Sequence, residues 1–250
     1  MAINTDKNSY TIVFSVVMVA IVGSILALAA TGLKDKIGEN QRFEKQQNIL
    51  YAMGVNANAD AGSVTFVPTI EVAEKFQEII KEQYVIVDGK AELFEDAYAK
   101  IDLKKELDLI KSGKEGKLPF FIGENDGKRY YIIPMYGKGL WDAIWGYLAL
   151  DEDFVVSGVY FDHKGETPGL GANIKMRFFM DDFAGESIYR DGGYKGVAVV
   201  KGNNDPLNQD KTDGQVDALA GATITGNGVT AMINESVKLY QPYLETLRIQ

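Results

Sequence analysis

The stretch "RYYIIPMYGKGLWDAIWGYLALDEDFVVSGVYF", residues 129–161, sets the fold class. It contains three runs rich in aromatic and β-branched side chains, "RYYIIPMY", "AIWGYLAL" and "FVVSGVYF", parted by breaks that hold glycine or aspartate. Such residues suit a pleated, half-buried surface, and such breaks suit turns. "KGVAVVKG", residues 195–202, has the same texture. Strands that follow one another directly in sequence pair as antiparallel neighbours, whereas a doubly wound fold needs a helix between each pair. The expectation is an α+β domain over residues 118–250.

Upstream the periodicity is helical. In "ENQRFEKQQNILYAMG" Phe43, Gln46, Gln47 and Leu50 follow helix spacing, and Gly54 is a stop. "TIEVAEKFQEIIKE", residues 69–82, carries an apolar stripe of Ile70, Ala73, Phe76, Ile79 and Ile80, with Pro68 before it. Residues 92–111 read as a further helix with a solvated charged face. Residues 37–117 are therefore expected to be mainly helical. At the far end, "GNGVTAMINESVKLYQPYL" places Val229, Met232, Ile233, Val237 and Tyr240 on one helical face.

The first 36 residues are a membrane anchor by composition. Between Lys7 and Lys34 no residue is charged, and "YTIVFSVVMVAIVGSILALAATGL" fills positions 10–33. At about 1.5 Å per residue, roughly 20 residues cross a hydrocarbon core of about 30 Å. The competing reading is a cleaved signal, with Ala27-Leu28-Ala29 resembling a cleavage site. The apolar run is too long for that, and Asp6 beside Lys7 makes a poor basic flank. A retained single span in contact with lipid is the better reading. Lys34, Lys36, Arg42 and Lys45 follow the span, which by charge alone would put the domain in the cytoplasm; the rule weakens for long domains.

Composition narrows the chemistry. A formal net charge of −9 without a basic stripe argues against a nucleic-acid partner. The chain has no cysteine and a single histidine, His163, which argues against cysteine-ligated clusters, thiolate catalysis and a histidine-rich metal site. No metal ligands and no catalytic side chains are assigned, so redox work here would need a bound organic cofactor.

Three short segments carry that possibility. "GKGLWDAIWGY", residues 137–147, sets Leu140 and Trp141 after a glycine turn, and Trp141 and Trp145 suit packing as well as ring stacking. "HKGETPGLGAN", residues 163–173, holds three glycines and a proline, as suits either a plain turn or a backbone brought close to a ligand. Within it Glu166 is either a solvated carboxylate or an acceptor for a ring or a neighbouring backbone group. "DALAGATITGNG", residues 217–228, clears bulky side chains from around Thr223 and leads into the last helix. Thr225 or Asn227 would cap that helix, whose N-terminus suits a phosphate. Taken alone, the segment reads first as a small-residue approach to a helix, with its threonines as caps or strand residues.

In this order, behind one N-terminal span, these segments resemble the C-subunit family of the Na⁺-translocating NADH:quinone oxidoreductases. The likeness covers most of the chain and is vaguest between residues 55 and 117. In that family the motif Asp-x-x-(Ser/Thr)-Gly-Ala-Thr ends in a threonine esterified to the phosphate of FMN. The resemblance implies that Asp217, Gly221 and Ala222 match the motif and that Thr223 is the acceptor, with Thr225 placed to touch the phosphate. Ala220 departs from the motif, where the family has a hydroxyl. The loop Gly165, Glu166, Thr167, Pro168, Gly169, Leu170 and Gly171 would line the flavin, with Leu140 and Trp141.

The resemblance further implies an electron-carrier subunit, partnered by the other subunits of a membrane complex that oxidises NADH, reduces quinone and exports Na⁺. A separate flavin transferase would attach the FMN, and the domain would stand on the periplasmic side of the inner membrane. Two alternatives remain: the G subunit of an Rnf-type complex with the same kind of motif, or an anchored extracytoplasmic assembly module without a cofactor.

Overall fold

The computed structural model describes residues 7–60, 62–202, 205 and 207–248. The chain forms two compact units, 1–42 and 43–250. Helix α1 (Asn8–Ala52) supplies the first unit from Asn8 onward. Its apolar stretch is long and hydrophobic enough to cross a membrane, and the most apolar window has a mean hydropathy of 2.8 with none of it buried. Ile12, Val19, Leu26 and Leu28 all stand exposed, as on a helix whose apolar surface has no protein to cover it.

The second unit is built on a six-stranded antiparallel sheet in the order β2-β1-β3-β4-β5-β6. Its strands are β1 (Ile80–Val87), β2 (Lys90–Leu93), β3 (Leu118–Asn125), β4 (Lys128–Lys138), β5 (Ala143–Leu150) and β6 (Val156–His163). The α+β class and the strands read from 129–161 are borne out. Before and between the first strands lie α2 (Val72–Ile79), α3 (Ala97–Lys100) and α4 (Leu103–Lys111). After β6 come α5 (Arg177–Met180) and the short pairs β7 (Tyr189–Arg190) with β8 (Gly193–Tyr194) and β9 (Ala198–Val200) with β10 (Gln215–Asp217). Helix α6 (Thr223–Arg248) closes the described chain.

Two stretches differ from the helical expectation. The helix read at 69–82 stops at Ile79, and Ile80 begins β1. The helix read at 92–111 breaks into the end of β2, α3 and α4. The sheet therefore starts at residue 80, inside the segment expected to be mainly helical. The physical reason is legible in "YVIVDGKAEL": Asp88 and Gly89 have φ of 48° and 74°, the two positive angles of a tight hairpin turn. They join Val87 directly to Lys90. Asp126-Gly127 repeats this device between β3 and β4 with φ of 50° and 73°.

The sheet is covered on both faces. A Cβ on Gly137 would meet Met232 of α6 at 2.7 Å, so that side of β4 faces α6. By strand register Gly123 and Gly158 lie on the opposite face, where a Cβ would meet Met53 at 2.5 Å and Ala52 at 2.6 Å. Glycine is needed at these places because a helix backbone or side chain packs directly on the strand. The stripe expected on α6 is buried: Val229, Met232, Ile233, Val237 and Tyr240 are each at most 1% exposed. The Tyr240 hydroxyl donates to the carbonyl of Pro119 at 2.9 Å, so its polar end is satisfied inside the core.

Candidate functional site

Three chain segments converge at the N-terminal end of α6: the β4–β5 turn at 139–142, the loop 164–170 after β6, and the run 218–222 after β10. The turn is closed by the Gly139 N–H donating to the Asp142 carbonyl at 2.9 Å. An ion pair of Lys164 with Asp142 at 3.1 Å ties it to the loop after β6. Backbone donation from Ala143 and pairing with Lys164 hold the Asp142 carboxyl below its usual range.

Glu166 lies at the centre and is only 4% exposed. One oxygen accepts from the Trp141 backbone N–H at 2.9 Å and the other from the Thr225 hydroxyl at 2.6 Å. Of the readings open in the sequence, the solvated carboxylate is therefore excluded, and the neighbouring backbone is a partner. A Cβ on Gly139 or Gly171 would come within 2.5 Å of a Glu166 oxygen, so both glycines make room for it. Gly139 belongs to the glycine turn expected in "GKGLW", and its closeness to Glu166 is what the structure adds.

Thr223 and Thr225 differ sharply in setting. Thr225 is 1% exposed and its hydroxyl is engaged, whereas Thr223 is exposed in the first turn of α6. The expected caps do not form. The helix starts at Thr223, two residues before Thr225, so both Thr225 and Asn227 lie within it. Ala222, just before it, has no side-chain acceptor. The first-turn N–H groups of α6 have no partner within the helix itself and are thereby open to an anion.

The other expected residues are placed as follows. Leu170, 41% exposed, abuts the acceptor run: a Cβ on Gly221, where φ is 73°, would meet its Cδ2 at 2.8 Å. Trp141, 66% exposed, donates from Nε1 to the Thr167 hydroxyl at 3.2 Å. Leu140 and Ile224 are exposed as well; Ile224, next to Thr223 in sequence, is not among the expected residues. Gly169 has φ of 78° and open space around it, and Gly165 would tolerate a Cβ at ordinary contact with Asp142. Ala222 is buried. Asp217 closes β10, half-buried. It joins none of this network, and its charge is felt at Asp182, whose carboxyl is raised first by burial and further by Asp217. Asp217 is thus six residues from Thr223 along the chain but outside the Glu166 cluster.

A cavity of about 740 Å³ opens at the other end of α6, among Tyr84, Arg129, Tyr131, Tyr243 and Arg248. It is open and mostly polar-walled, and it shares no residue with the threonine site.

The segment from Gly139 to the middle of α6 coincides with a family match. Residues 139–238, which contain the segments around Thr223, match the FMN-binding domain family. Over nearly the whole chain the likeness is more specific. The Na⁺-translocating NADH-quinone reductase C-subunit of Neisseria meningitidis is 31% identical, covering 99% of this chain and 98% of that protein. The Vibrio alginolyticus C-subunit is 29% identical over 92% of this chain and 90% of its own length. The crystal structure of the C-subunit from Parabacteroides distasonis superposes with a TM-score of 0.69 at 33% identity, covering 85% of this chain and 96% of that one. The chain belongs to the C-subunit family of the Na⁺-translocating NADH-quinone reductases.

Proposed function

We propose that this chain carries FMN esterified to Thr223 and serves as an electron-carrier subunit of a membrane complex that oxidises NADH, reduces quinone and translocates Na⁺. The observation that carries the assignment is the contrast between the two threonines: one hydroxyl is exposed at a helix N-terminus, and the other is buried and already bonded to Glu166.

The residues present fit FMN. Thr223 offers the ester oxygen, and the first-turn N–H groups of α6 favour the phosphate beside it. Leu140, Trp141, Leu170 and Ile224 offer apolar surface to the ring. The positive φ of Gly221 lets the acceptor run lie close against Leu170. Bound there, FMN would supply the redox chemistry, while the protein holds and orients it.

An unassisted threonine hydroxyl is a poor nucleophile. A separate flavin transferase would supply the activation, with FAD as donor. The threonine oxygen takes the FMN phosphoryl group, the pyrophosphate bond breaks, AMP leaves and the hydroxyl proton passes to a base. The exposure of Thr223 and the small residues Ala220, Gly221 and Ala222 leave room for that second active site. In this reading α1 anchors the chain in lipid through residues 10–33, the domain stands on the periplasmic side, and the partners are the other subunits of the complex.

In-gel flavin fluorescence after co-expression with a flavin transferase tests the assignment. Thr223→Val should abolish the denaturation-resistant signal, and Thr225→Val should keep it. Survival of the signal in Thr223→Val with loss in Thr225→Val would reverse the assignment. Loss in neither would put the covalent flavin on another residue and remove Thr223 as its acceptor, and no signal in the parent chain would remove the covalent reading.

A further inference from the structure

Glu166 is the acid of the site that the ester chemistry leaves without a task. Its carboxylate is buried and joins three segments at once. It belongs to the loop after β6, accepts from the backbone of the β4–β5 turn at Trp141, and accepts from Thr225 in the first turn of α6. Its own N–H donates to His163 Nδ1 at 3.2 Å, which anchors the loop end of the bridge. Hydrogen bonds to an ionised acceptor are stronger than those between neutral groups, and a negative charge is favoured beside a helix N-terminus. Gly139 and Gly171 leave the carboxylate space from both sides.

We infer that Glu166 is the positioning residue of the FMN site: it latches the turn bearing Leu140 and Trp141 to the start of α6 and withholds Thr225 from modification. The inference rests on the FMN reading for its purpose, but the latch itself exists without the cofactor. Glutamate is the residue that fits. Aspartate is one methylene shorter and cannot span the same gap. Glutamine has one acceptor oxygen, so its amide meets either the Trp141 N–H or the Thr225 hydroxyl with an N–H group. The Trp141 N–H cannot turn to accept, while the Thr225 hydroxyl can rotate. Glutamine thus keeps both limbs, its oxygen accepting from Trp141 and its N–H donating to the rotated Thr225 hydroxyl, and loses only the charge.

The test uses the full chain with Trp145→Phe, which leaves Trp141 as the sole tryptophan, prepared without a flavin transferase. Time-resolved fluorescence anisotropy reads its nanosecond local motion. Glu166→Ala and Glu166→Asp should enlarge the fast component of Trp141, whereas Glu166→Gln and Thr225→Val should leave it unchanged because the Trp141 limb survives in both. In parallel, co-expression with the transferase followed by peptide mass spectrometry should show lower flavin occupancy at Thr223 in Glu166→Ala, with some flavin moved to Thr225. An unchanged Trp141 decay in Glu166→Asp and in folded Glu166→Ala would overturn the latch. If the parent chain takes up no flavin, the FMN reading fails by itself, while the Trp141 result still decides the latch. Should Glu166→Ala not fold, Glu166→Asp alone decides it.

Discussion

Two threonines two residues apart carry the same hydroxyl, and their surroundings separate them. Replacing Thr223 by valine removes a hydroxyl from an exposed position, so stability should change by no more than about 0.5 kcal/mol. Thr225→Val removes the donor to a buried carboxylate oxygen and should cost about 1–3 kcal/mol. Urea unfolding of both variants checks this ordering, and equal losses would contradict it. Gly169→Val should perturb the spectrum of bound flavin. Because φ there is 78°, it should also strain the loop, whereas Gly169→Asn should strain it much less. Unchanged flavin absorption and midpoint potential in Gly169→Val would return the loop to an ordinary turn. At this scale the sequence conveyed residue types well. The small residues around Thr223 and the glycines of 165–171 stood out. The partners of Glu166 did not, since the Thr225 contact spans 59 positions of chain and depends on how β6 and α6 meet. The capping expectation for Thr225 failed because α6 begins at Thr223, so Thr225 lies in its first turn and its hydroxyl bonds Glu166 instead.

Among the elements, the strands from 129 to 161 and the buried stripe of α6 were legible because their periodicity runs uninterrupted. The β1–β2 hairpin was missed because "EKFQEII" flows into it without a break, and α2 hands over to β1 between Ile79 and Ile80. The turn pair Asp88-Gly89 was the signal that would have revealed it. This pair supports a comparison. Gly89 and Gly127 hold the same place in two hairpins, with φ of 74° and 73°. A Cβ on Gly127 meets open space, whereas one on Gly89 would lie 2.8 Å from Pro242 Cβ. Gly127→Ala should therefore cost only the conformational penalty of about 1 kcal/mol. Gly89→Ala should lose about 1–3 kcal/mol more from overpacking. Thermal or urea melts of the two variants decide it, and equal losses would show that Pro242 yields freely.

At the scale of the whole molecule, the chain divides at residue 42, and the second unit has a core of its own that runs from Ile49 to Leu244. Deleting residues 1–33 should therefore give a soluble domain with an unchanged melt, since none of the core residues lies in the deleted part. A mature protein that begins near Ala30 would instead show a cleaved signal in place of a retained span. The covalent bond to flavin is what the proposed function stands on, and tandem mass spectrometry of the peptide holding both threonines, taken from the chain co-expressed with a flavin transferase, reads it directly. An FMN phosphoester on Thr223 with Thr225 unmodified is the expected result. A peptide with no flavin, or with the flavin on Thr225 alone, would contradict it.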